Sequence, residues 1–137
     1  MSINKIFPIT LLLLGLSLLI LVSSNSAFAH GSTEPQHGGV VIISGEMSFE
    51  LVVAPNSVKL YLLDDGEELD TSTLSAKLKL KNAKPARFID MQPSGGNSFS
   101  ATDISLKDGD KILALVTLAN GYSKIGANFT IGEEPKH

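Results

Sequence analysis

The chain offers three histidines as its main chemical resource: His30, His37 and His137. None lies in a stretch with strand or helix periodicity. Two fall in the segment 30–38, which is rich in Gly, Ser, Pro and Gln, and the third is the last residue. A Ser-His-Asp hydrolase needs an imidazole held rigidly beside a nucleophile and a carboxylate. An arm or a tail does not hold one that way, and no catalytic constellation is predicted. An arm can, however, wrap a metal ion. Ala27-Phe28-Ala29 precedes His30, and a cut after Ala29 gives His30 a free α-amine beside its imidazole. Both groups lose their protons near neutral pH, so both serve as neutral donors at little cost. The amine and Nδ1 close a chelate ring on one ion, and His37 bends back across Gly31 to Gly38 to add a further nitrogen. Two imidazoles and an amine suit Cu(II), with Zn(II) and Ni(II) behind it in affinity. Met47 and Met91 are thioether candidates for Cu(I). The predicted ligand set is His30, His37 and Met47, bound to copper in preference to zinc. Glu34, Glu46 and Glu50 would complete a harder site. The competing reading is plain: arm histidines are often only solvated, and methionines fill gaps in cores.

The metal chemistry depends on export. Residues 1–29 read as a signal peptide: Lys5 is the basic end, Ile9 to Val22 the apolar core, and Ala27-Phe28-Ala29 the small-residue cleavage site. The apolar run is about fourteen residues, shorter than the roughly 20 that a bilayer span requires. A cut after Ala29 leaves one small exported domain with no further apolar span. The formal charge of the full chain is −3, and it becomes −4 once Lys5 leaves with the signal. A mildly acidic domain with scattered lysines lacks the basic patch that nucleic acid requires. The chain has no cysteine, which removes disulfides, thiolate metal sites and cysteine nucleophiles.

The elements behind the arm have a period of two. Val40 to Ile43 is a short apolar run. In Met47 to Ala54, Phe49 and Leu51 share one face, with Ser48 and Glu50 on the other. Pro55-Asn56 turns the chain into Val58, Leu60 and Leu62, with Lys59 and Tyr61 opposite. Asp64-Asp65-Gly66 is a second turn. Leu74 to Lys81 alternates most clearly, with Lys77, Lys79 and Lys81 as a solvated row that discourages edge aggregation. Arg87 to Met91, Ser98 to Ala101, Ile112 to Leu118 and Ile125 to Ile131 complete the set, the last two joined by Asn120-Gly121 as a type I′ hairpin. Seven or eight short strands predict a single antiparallel β-sandwich of immunoglobulin-like or cupredoxin-like type over residues 39–132. A closed small barrel is the alternative. Residues 30–38 are expected as a flexible arm and 133–137 as a frayed tail.

Three motifs occur in order: His37-Gly38-Gly39-Val40-Val41, Phe49-Glu50-Leu51-Val52 and Leu60-Tyr61-Leu62-Leu63-Asp64. In this pattern the chain resembles small periplasmic proteins of bacterial heavy-metal resistance and efflux loci, over about residues 36–81. His37 is the residue that matches the group's histidine. The group often has another histidine before its aromatic-Glu-Leu strand, where this chain has Glu46-Met47-Ser48. A looser architectural similarity is to CopC-type copper carriers. The resemblance implies a periplasmic, Sec-exported β-domain that handles copper, silver or cobalt-zinc-cadmium. Its implied role is non-enzymatic: a carrier or accessory, with an efflux adaptor or another periplasmic protein as partner. The alternative is an interaction module without metal, capturing a partner strand at a sheet edge. A histidine-brace oxidase needs a second histidine fixed in the folded core, and none follows His37 before the last residue. Amino-terminal sequencing of the exported protein should begin at His30; an intact Met1 would refute the cleavage reading.

Overall fold

The computed structural model describes residues 33–134. The expected signal segment, His30 and His137 lie outside the described residues. Within them the protein is all-β and antiparallel, with a single 3-10 turn at Thr71–Thr73. The strands are β1 (Val40–Ser44), β2 (Met47–Ala54), β3 (Ser57–Asp64), β4 (Glu67–Glu68), β5 (Ser75–Leu80), β6 (Arg87–Pro93), β7 (Ser98–Thr102), β8 (Lys111–Thr117) and β9 (Lys124–Thr130). Among the described residues no helix is long and apolar enough to cross a membrane.

Hydrogen bonding runs in one path, β1-β2-β3-β7-β6-β5-β8-β9, and the stub β4 pairs with β3. The path bends at β6. Arg87 to Met91 pair with β5, while Gln92 and Pro93 pair with β7. A strand that changes partners along its length turns a corner between two parts of a sheet. The two ends of the path come together, with β1 alongside β9. The sheet is therefore nearly barrel-shaped.

Alternation decides which side of each strand is dry. In β5, Ala76 and Leu78 are buried between exposed Ser75 and Lys77. In β8, Ile112, Ala114 and Val116 are fully buried at every second position. Phe49, Leu60, Leu62, Leu78 and Phe99 fill the centre with no exposed surface. The large side chains are spread over different strands, so burying them draws the sheet around a single core.

Turn chemistry agrees in one place and departs in another. Asp64 pairs with Glu67 across Asp65-Gly66, which have φ of +49° and +82°. Both central residues of a type I′ turn need positive φ, and Asp followed by Gly provides it. The type I′ expectation for Asn120-Gly121 does not hold. Gly121 is left-handed at +81°, but the left-handed non-glycines among the described residues are Asp65 and Asp103. Asn120 instead uses its side chain, whose Oδ1 accepts from the N–H groups of Tyr122 and Ser123. The loop is consequently longer, from Leu118 to Ser123, and an asparagine that stabilises a turn through its side chain does not need the left-handed backbone.

Urea unfolding should separate the two faces of β5. Leu78→Ala should cost about 3 kcal/mol through lost burial and a cavity, whereas Lys77→Ala should stay within about 0.5 kcal/mol.

Candidate functional site

Glu50 projects from β2 on the side away from Phe49 and Leu51, where the alternation leads one to expect a solvated carboxylate. It is only 6 % exposed. The residues before β1 cover it. Its Oε1 accepts the His37 N–H at 2.7 Å and the Gly39 N–H at 3.1 Å, and Oε2 accepts the Gln36 N–H at 3.1 Å. The His37 ring adds a fourth bond, from Nδ1 to Oε2 at 2.9 Å. Residues 36–39 thus wrap the carboxylate much as a helix N-terminus wraps a capping side chain, with the N–H groups of Gln36, His37 and Gly39 turned to one acceptor.

Two glycines permit the wrap. Gly38 lies at φ +74°, a conformation that side chains disfavour. Gly39 runs against β2, where a Cβ would collide with the Leu51 carbonyl oxygen and stand 2.8 Å from Val52 Cγ2. His37 then lies flat on Tyr61, with ring centroids 3.6 Å apart and planes at 4°. Tyr61 is the residue directly opposite Glu50 on β3, and Val41 is opposite Glu50 on β1. Val41 is buried on this outer side as well. A polar and aromatic patch on the outside of β1-β2-β3 is therefore sealed by the arm.

Burial alone would push the Glu50 carboxyl up. The His37 ring, the His37 N–H and the N–H groups of Gly39 and Gln36 outweigh that, and hold it below the ordinary carboxylate range. Glu50 is then a carboxylate at neutral pH and can only accept. Nδ1 of His37 must carry the proton in this pair. A neutral His37 consequently has its lone pair on Nε2, at the ring edge away from Glu50. The His37 side chain is 37 % exposed. The space bounded by Glu34, His37, Ser48, Tyr61 and Asn97 is about 10 Å³, about enough for one water and no more. Tyr61 closes one face of the ring, and the space beside it admits nothing larger than water.

Of the predicted ligands, His37 is in this site and His30 lies outside the described residues. Met47 is not brought to it. It stands three residues along β2 on the opposite face, 3 % exposed in the core cluster, where it backs an open apolar hollow with Leu69, Leu74, Leu118 and Ile125. Met91 is a core residue too. Glu34 borders the small space beside His37, and Glu46 the hollow near Met47. Among the described residues, no group of three or more His, Cys, Asp or Glu stands close enough to hold a metal ion. The arrangement is thus one oriented imidazole backed by a buried carboxylate. The sequence names His37 and Glu50 but not their bond to each other, and it gives Tyr61 a place in a motif but no part in the site. The available signal was the position of Glu50 and Tyr61 on the same side of a hairpin whose turn was already evident. No protein-family model, curated protein or solved structure matches the chain.

A depressed carboxyl pKa contributes stability that is complete above the unfolded value and is lost as pH falls through the folded one. Hydrogen exchange should show the amides of Gln36, His37 and Gly39 protected at neutral pH and released together only as the pH falls below the ordinary carboxylate range. Glu50→Ala should remove that protection at every pH and cost about 2 kcal/mol. Protection that persists in Glu50→Ala would show that the arm is held by something else.

Proposed function

We propose that this chain is an exported, non-enzymatic metal-binding protein, a periplasmic carrier or accessory of a heavy-metal efflux or resistance system. One observation carries the reading: the His37 ring bonds buried Glu50 through Nδ1 at 2.9 Å, an arrangement that would leave Nε2 as the donor. Metal-ligating histidines characteristically donate their other ring N–H to a carboxylate or carbonyl, which sets the tautomer and raises the basicity of the donor nitrogen. Gly38 and Gly39 serve the same arrangement, and so do Phe49-Glu50-Leu51 and Tyr61. The three motifs that suggested metal handling therefore meet around one imidazole.

In this reading the cargo is copper, taken as Cu(II) by nitrogen donors, with zinc second. His37 supplies Nε2. His30, freed as the first residue by cleavage after Ala29, supplies its amine and imidazole. Met47 faces the core and is left out of the proposed set. An efflux adaptor or another periplasmic protein is the partner that would receive the ion. We further propose that the fold is a sandwich of immunoglobulin-like or cupredoxin-like type, supported by the change of partners at β6, which lets two parts of the sheet face each other.

Calorimetric titration of the exported protein with Cu(II) tests the reading. The wild type should bind at one site, and His30→Ala with His37→Ala together should abolish binding. Glu50→Gln should keep the ring but weaken binding about 10- to 100-fold, the usual effect of losing such a supporting carboxylate. Equal weak binding by the wild type and the double variant would end the proposal.

A further inference from the structure

The lysine row of β5 is more than a wet strand face. In an antiparallel sheet, residues opposite each other point to the same side. Lys79 lies opposite Phe88 on β6 and Leu113 on β8; Lys77 lies opposite Asp90 and Leu115. Phe88 is 57 % exposed, with the Lys79 ammonium 5.5 Å from its ring centroid. Leu113 and Leu115 are half-buried, and both fold toward Gly126 of β9, where a Cβ would meet their Cδ1 atoms at 3.0 and 3.5 Å. An apolar strip thus crosses the outside of β6-β5-β8-β9. Lysines surround it: Lys81 and Lys111 at one end, joined by a backbone hydrogen bond, and Lys124 at the other, opposite Thr117. Among the described residues, Asp90 is the acidic side chain whose register places it on this face, and it pairs with Lys77 at 3.3 Å. Glu133 and Glu134 border the neighbouring seam between β9 and β1.

This distribution runs against the charge of the whole. The chain is net acidic, and yet half of the basic residues that follow residue 29 sit on one face with three apolar side chains between them. An exposed ring continued by two half-buried leucines and rimmed by charge has the make-up of a contact surface. A sheet face with ammonium groups and one exposed aromatic ring matches a lipid surface. Lysines meet anionic headgroups, while the exposed Phe88 ring, standing beside the leucines, reaches the boundary below them. We propose that this outer face seats the protein on an anionic membrane surface.

The strand order adds a consequence. β2 is second and β5 sixth of the eight strands in the path, so half of a nearly closed circuit separates them. A protein resting on β5 holds the His37 site toward the aqueous side. The inference does not depend on metal binding.

Sedimentation with vesicles tests it, using the protein released after expression of the full chain. Vesicles of phosphatidylcholine with roughly one-third phosphatidylglycerol should carry the protein down, and pure phosphatidylcholine vesicles should not. Binding should disappear in about 0.5 M salt, which screens surface charge. Lys79→Gln with Lys111→Gln should weaken it about tenfold or more, and Phe88→Ser several-fold; all three side chains are surface groups, and unchanged thermal unfolding confirms that the variants fold. Absence of sedimentation with anionic vesicles, equal binding to neutral ones, or indifference to the lysine changes would overturn the proposal. Stronger capture by polyglutamate than by anionic vesicles would overturn it as well, by making an acidic protein the ligand.

Discussion

A carboxylate taken out of water on the outside of a sheet is a costly object unless its oxygens are fully engaged. Glu50 is such a group, and meeting that requirement shapes residues 36–39. Its oxygens accept from Gln36, His37 and Gly39, all within four residues, and from the His37 ring. A chain that turns three backbone N–H groups to one acceptor has to curl tightly and pass close to β2. That accounts for the left-handed Gly38 and for the missing side chain at Gly39, which lies against the Leu51 carbonyl. The same curl lays the His37 ring on Tyr61 and covers Val41. Anchoring the arm, choosing the tautomer of His37 and burying a patch of the outer sheet are one event, not three.

The near closure of the sheet gives that event its context. A sheet packed on one core has an outer side that is ordinarily wet all round. Here the outer side is divided. Over β1-β2-β3 it is covered by the arm and carries a buried acid. Over β6-β5-β8-β9 it stays open and carries lysines with Phe88 and two leucines. Because β2 and β5 lie half a circuit apart, the two surfaces do not share side chains. Either can change its chemistry without repacking the other.

Much of the fold was legible from periodicity. The alternation in β5 and β8 identifies strands and their dry faces because the side-chain period of a strand is two. The hairpins at Pro55-Asn56 and Asp65-Gly66 follow from turn residues whose backbone preferences are local. Asn120-Gly121 shows the limit of local rules: the asparagine satisfied the turn with its side chain, and both solutions are open to the same dipeptide. Met47 shows another limit. A thioether suits a soft metal or a core, and only the side of β2 on which it falls decides between them.

The sequence by itself determined every strand but the stub β4, the inward residues, the lack of thiol chemistry and the presence of a histidine next to two glycines. These are consequences of composition and short-range spacing. Tertiary structure alone decided that Glu50 is buried, that it holds His37 by Nδ1, and that Tyr61 lies beneath the ring. It also decided that Phe88 and two leucines share a face with the lysines. Each of these depends on which residues stand opposite one another across strands or fold back over them. The register that sets those neighbours arises from packing the whole core, and no stretch of chain contains it.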